Sequence, residues 1–154
     1  MMTTLKFTIY FTVIVLFSIF NSINVEAQRC RGYDSKCDNP PNYFESSSLS
    51  RSTSIRRGRK VVFNQTFYGN REYYVSVCGH RRLGELHFRL IADNEDETVL
   101  YDNATDDFSN TRLFVIQSTM QIKIEVSAPH YFDERNSECA GIRISYHQSG
   151  EGNN

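Results

Sequence analysis

Met120-Gln121-Ile122-Lys123-Ile124-Glu125-Val126 is the run that decides the fold. Apolar and polar residues alternate in it without a break. On a helix, residues two apart lie on nearly opposite sides, so no apolar face would form. On a strand they share one face. The β-branched Ile122, Ile124 and Val126 favour the same geometry. The run is therefore expected to be a strand with one buried and one wet face.

The same period recurs on both sides of it. Downstream, Ala140, Ile142, Ile144 and Tyr146 alternate with Gly141, Arg143 and Ser145. Upstream, Leu86, Phe88 and Leu90 alternate with His87 and Arg89. Tyr73, Val75 and Val77 alternate with Tyr74, Ser76 and Cys78. Val61, Phe63 and Phe67 alternate with polar neighbours. Two shorter runs, Thr98 to Tyr101 and Arg112 to Ile116, are more continuously apolar and predict central strands. A weaker strand is expected near Leu49 to Ile55. Turn-rich breaks separate these runs, and no long segment has helical periodicity.

About eight short strands with one apolar face each must pack sheet on sheet. The expected fold is all-β: an antiparallel β-sandwich of jelly-roll type. Its inward set would be Phe63, Tyr73, Val75, Val77, Leu86, Phe88, Leu90, Val115, Ile122, Ile124, Ile142 and Ile144.

The ends have a different character. Lys6 precedes the apolar run Phe7 to Phe20, and Val25-Glu26-Ala27 puts small residues where a signal peptidase reads. Residues 1–27 are expected to be a cleaved signal peptide, since a bilayer span needs about 20 apolar residues. Arg29 before Cys30 argues against lipidation there. Residues 28–47, polar and holding Pro40-Pro41, read as an irregular arm. Residues 48–147 form the sandwich and 148–154 a flexible tail. No membrane span is expected after cleavage, and the product would be secreted, periplasmic or on the outer surface.

Cys30, Cys37, Cys78 and Cys139 make an even count in an exported chain, which predicts two disulfides. Local pairing of Cys30 with Cys37 is expected to staple the arm. Cys78 would then join Cys139, because each ends or opens a strand on its polar face.

The net charge of −1 is unevenly spread. Arg29 to Ala92 holds twelve Lys and Arg against five Asp and Glu; Asp93 to Asn154 holds four against twelve. In a sandwich these halves interleave, so nucleic acid is not an expected partner.

The order YYVSVC, LGELHFRLIADNEDETVLYDN, FVIQSTMQIKIEVSAP and ECAGIRI resembles small secreted β-sandwich proteins of the Bacteroidota. More distantly it resembles pre-peptidase C-terminal and CUB-like domains. The likeness covers roughly Leu49 to Tyr146. It implies an accessory module with no catalytic residues to carry over, although such domains usually sit beside a protease.

Candidate chemistry is sparse. Four histidines are scattered, and no G-x-S-x-G elbow occurs. No enzyme is expected, and a small hydrolase is the remote alternative. Asp102, Asn103, Asp106 and Asp107 offer side-chain oxygens within six positions, so the loop is a candidate calcium site, with Asp93 to Glu97 as possible neighbours. The same residues also suit a plain turn. Otherwise no cofactor is expected. Arg56, Arg57, Arg59 and Lys60 form a basic stretch able to meet an anionic glycan. Tyr68, Tyr101, Tyr131 and Phe132 are candidate stacking platforms for sugar, though the chain lacks Trp. Asn64-Gln65-Thr66 and Asn103-Ala104-Thr105 match the glycosylation sequon; of the two, Asn103 in its loop is the expected acceptor in a glycosylating host. The favoured role is a non-catalytic module that binds an envelope protein or glycan or serves structurally. The alternative is a carbohydrate- or calcium-binding lectin-like domain.

Overall fold

The computed structural model describes residues 29–134 and 136–148. The expected signal peptide and residues 149–154 lie outside them. Among the described residues, nine strands form two antiparallel sheets. In chain order they are β1 (Glu45–Ser46), β2 (Arg51–Arg56), β3 (Lys60–Phe67), β4 (Arg71–Gly79), β5 (His87–Ala92), β6 (Val99–Asp102), β7 (Thr111–Ile116), β8 (Met120–Ser127) and β9 (Ser137–Gln148).

The strands pair as one long hairpin would: β2 with β9, β3 with β8, β4 with β7 and β5 with β6. Rolling that hairpin adds the pairs β4 with β9 and β5 with β8. One sheet then has the order β2-β9-β4-β7, and the other β3-β8-β5-β6. This is the jelly-roll arrangement. The two-residue β1 lies along β9 beside β2. The last strand runs to Gln148, which pairs with Arg71, so the strand takes in the first residue of the expected tail.

The alternating positions face inward as their period requires. Tyr73, Val75 and Val77 from one sheet meet Phe88, Leu90, Ile122, Ile124 and Val126 from the other. Phe63 is only partly buried. Val115 departs from expectation and is half exposed. In β7 the inward row is Arg112 and Phe114, paired with the buried Val75 and Tyr73, so Val115 faces out.

The cysteines pair otherwise than expected. Cys30 joins Cys139 and Cys37 joins Cys78. Register supplies the reason. Cys78 lies opposite Gly141, so Cys139 is a diagonal neighbour on the same face. Diagonal pairs sit about 7–8 Å apart, too far for a disulfide. The arm instead crosses the outer face of the sheet and takes one bridge to each strand. Its 3-10 helix Tyr33–Lys36 crosses β9 at Gly141, where a Cβ would stand 2.6 Å from Asp34 Cα. Arg143 Nε donates to Asp34 O at 3.2 Å, Asp34 N–H to Ser52 Oγ at 3.0 Å, and Asp38 N–H to Ser76 Oγ at 3.1 Å. Ser76 and Ser145, outward residues, are thereby buried. Disulfides of this kind belong to an oxidising, extracytoplasmic compartment. Among the described residues no helix is long and apolar enough to cross a membrane.

Candidate functional site

Residues from Arg56 to Lys60 form the tight β2–β3 turn, closed by Arg59 N–H donating to Arg56 O at 3.1 Å, with Gly58 at φ 64°. Arg57 pairs with Glu134 and lies over the Phe132 ring. Lys60 Nζ is 2.7 Å from Glu125. The fold brings Arg82 to the same end, because it pairs with Glu138, the register partner of Ile55. The basic residues thus converge, but carboxylates from Glu134, Glu125 and Glu138 answer several of them.

Of the four candidate platforms, Tyr68 and Phe132 stand exposed, whereas Tyr101 and Tyr131 do not. Both are buried, and Tyr131 Oη donates to Asn136 O. Tyr101 Oη donates to Asp106 at 2.8 Å. Burial, aided by the Asp106 carboxylate and opposed by Arg112, pushes that phenol up to about 12.

The loop from Asp102 to Asp107 is organised by its own backbone. Asn103 is fully buried. Its Oδ1 accepts from Phe88 N–H at 2.8 Å, and its Nδ2 donates to Leu86 O and Ser109 O. These bonds pin the loop to β5, and they remove Asn103 as the better sequon acceptor. Asn64, exposed on β3, is the accessible one. Asp102 Oδ1 accepts from Ala104 N–H and lies 2.8 Å from His87 Nε2. The acidic residues 93–97 lie at the other end of β6, roughly 13 Å away along the strand, so they do not join this loop. Among the described residues no three His, Cys, Asp or Glu side chains are placed to hold a metal.

The His87–Asp102 pair lies on the outer face of the β3-β8-β5-β6 sheet, beside Ser127, Arg89 and Glu125. Burial works against both carboxylates there. It is outweighed at Asp102 by the Ala104 N–H and His87, and at Glu125 by Lys60 and Arg89, so both are held below their usual values. Lowered carboxylates bind fewer protons folded than unfolded. Their stabilisation is complete above the ordinary values, 3.8 and 4.5, and is lost as pH falls through the folded ones. The melting temperature is accordingly expected to fall on acidification below about pH 4.5. In Asp102→Asn/Glu125→Gln the decline should be shallower; parallel curves would show that these pairs do not carry it.

The remaining feature is an opening between the sheets. β6 and β7, expected as central strands, are edge strands instead, each paired on one side only. Both free edges border a groove of about 400 Å³. Leu90, Tyr101, Phe114 and Met120 lie along it. Val99, Leu100, Leu113 and Val115 stand 44–50% exposed on the two edges. Arg112 points inward with its guanidinium 4.6 Å from the Tyr101 ring centroid. Among the described residues it has no carboxylate partner within ion-pair distance. The apolar composition that suggested burial belongs to an exposed groove.

No protein-family model matches the chain, and no curated protein does. Among solved structures, it is similar to Aeromonas hydrophila PliG, a periplasmic lysozyme inhibitor of g-type lysozyme. The identity is 11%, with 71% of this chain and 91% of that chain covered, and the TM-score is 0.42. A likeness this distant transfers no role.

Proposed function

We propose that the domain is a non-catalytic module that binds a protein partner through the open edge between β6 and β7. The observation that carries this reading is the groove between two strand edges, with the half-exposed Leu100 and Val115 in its lining and Val99 and Leu113 exposed on the same two strands. Monomeric proteins seldom leave such surface uncovered, and contiguous apolar patches mark interaction sites. The chemistry elsewhere supports a binding role. All four cysteines are tied in disulfides, and the hollow beside His87 on the sheet face, about 140 Å³, is small against the roughly 300–1,000 Å³ of ordinary ligand pockets. Work in the periplasm, at the outer surface or in the medium would suit the two bridges equally.

A photo-crosslinking residue placed at Val115 or Leu100, with Asn64 as control, tests the surface. In extract of the source cells, the two edge positions should give one discrete adduct and the control none. The partner, purified, should then bind Val115→Lys about tenfold more weakly than wild type. Equal adducts from all three positions, or none from the edge, would defeat the proposal.

A further inference from the structure

We infer that the occupant of the open edge is an extended polypeptide segment, which adds as a strand to β7 and sets a carboxylate against Arg112. This deepens the reading above and rests on it.

Two free edges border the groove, and they are not equivalent. β6 has four residues, and its register with β5 shifts between Leu90 and Ile91. Such a bulge twists an edge away from further pairing. β7 pairs with β4 over six consecutive residues, from Ser76 opposite Thr111 to Arg71 opposite Ile116, with no shift. It contains no Pro, Lys or Gly. At Thr111 its outer edge is taken up, since that residue's N–H and C=O both meet Ser109 Oγ. From Leu113 onward the edge has no strand partner among the described residues, which leaves the template that strand addition uses.

Side chains on both faces of β7 suit an added strand. Leu113 and Val115 stand exposed on the outer face. Phe114 and Ile116 lie along the groove beside them. An incoming segment would place one alternate row against each face, so apolar residues are wanted in both. The exception is set by Arg112. Its guanidinium is stacked on Tyr101 and lacks a carboxylate within ion-pair distance among the described residues. A carboxylate on the incoming strand would meet a planar, oriented donor at the rim of an apolar groove. The recognised segment is therefore an extended run of alternating apolar residues interrupted by one Asp or Glu.

An inward-pointing charge can also guard an edge against pairing, and the experiment separates the two roles. A displayed library of random dodecapeptides is selected on the purified, disulfide-intact protein. The expected winners carry one Asp or Glu within an alternating apolar run. Arg112→Glu should weaken them about tenfold or more and favour their Asp-to-Lys versions, while Arg51→Glu, on β2 at the opposite edge of the sheet, should leave affinity unchanged. Two N-methylated forms of a winner, modified at odd or at even positions, should differ, because only one alternate set of N–H groups faces β7. Selection of basic or uncharged peptides, no selection at all, or equal binding of both N-methylated forms would overturn the proposal. So would tighter binding by Arg112→Ala, which would make the guanidinium a guard. A concentration-dependent dimer dissolved by Val115→Lys would replace the peptide by a second copy. If the Val115 crosslink succeeds while the peptide results fail, the partner surface stands and only the strand mode falls.

Discussion

Phe88→Ala is expected to lower the unfolding free energy by about 3–5 kcal/mol, the usual cost of truncating a buried phenylalanine. Phe88 is fully buried at the second position of β5. Its ring packs 5.3 Å from that of Tyr101 on the neighbouring strand, and its N–H donates to the buried Asn103. Removing the ring takes away apolar burial and leaves a void between tightly paired sheets. It also loosens Tyr101, the floor on which Arg112 rests. A typical domain has only about 5–15 kcal/mol in hand, so the variant should melt roughly 10–20 °C below wild type. A melt superimposable on wild type would show that Phe88 does not face the core.

The second large effect concerns the long bridge. Cys30→Ser/Cys139→Ser opens a loop with a sequence separation of 109. On the chain-entropy account, closing about 100 residues is worth about 4.7 kcal/mol. Opening the Cys37–Cys78 bridge, with a separation of 41, should cost somewhat less, about 4 kcal/mol. The order follows from the logarithmic growth of closure entropy with loop length. Denaturant unfolding of the two double variants measures it. Non-reducing peptide mapping checks the connectivity first: a Cys78–Cys139 peptide in the native protein would contradict the fold described above. Each variant keeps the other bridge, so the arm stays tethered across Gly141. Because Cys37–Cys78 lies inside the longer loop and shortens it, the difference between the variants should be smaller than the two separations alone give.

The candidate site was only partly visible in the residues. Thr98 to Tyr101 and Arg112 to Ile116 were recognisable as strands. Their continuous apolar character has the same composition whether a strand is buried on both faces or exposed at an edge. Arg112 within the second run was the signal that could have pointed to an edge, since a guanidinium is seldom fully buried in a central strand. Asn103 was equally ambiguous. Asn in a polar loop suits a turn, a metal site or a glycan, and its buried bonds to Phe88, Leu86 and Ser109 depend on β5 passing beneath it.

The sequence by itself determined which segments are strands, and for most of them which face is apolar. It also marked the chain for an oxidising compartment through an even set of cysteines. These are local or compositional properties: a period of two reports the face of a strand from its own residues alone. The tertiary structure alone decided which strands became edges, where the arm lay and which cysteines met. Cys30 reaches Cys139 only because the rolled hairpin sets β9 beside β4, and because Gly141 leaves room for Asp34 above it. Neither condition is written in the neighbourhood of any one cysteine. Both arise from contacts between residues far apart in the chain, which no local pattern records.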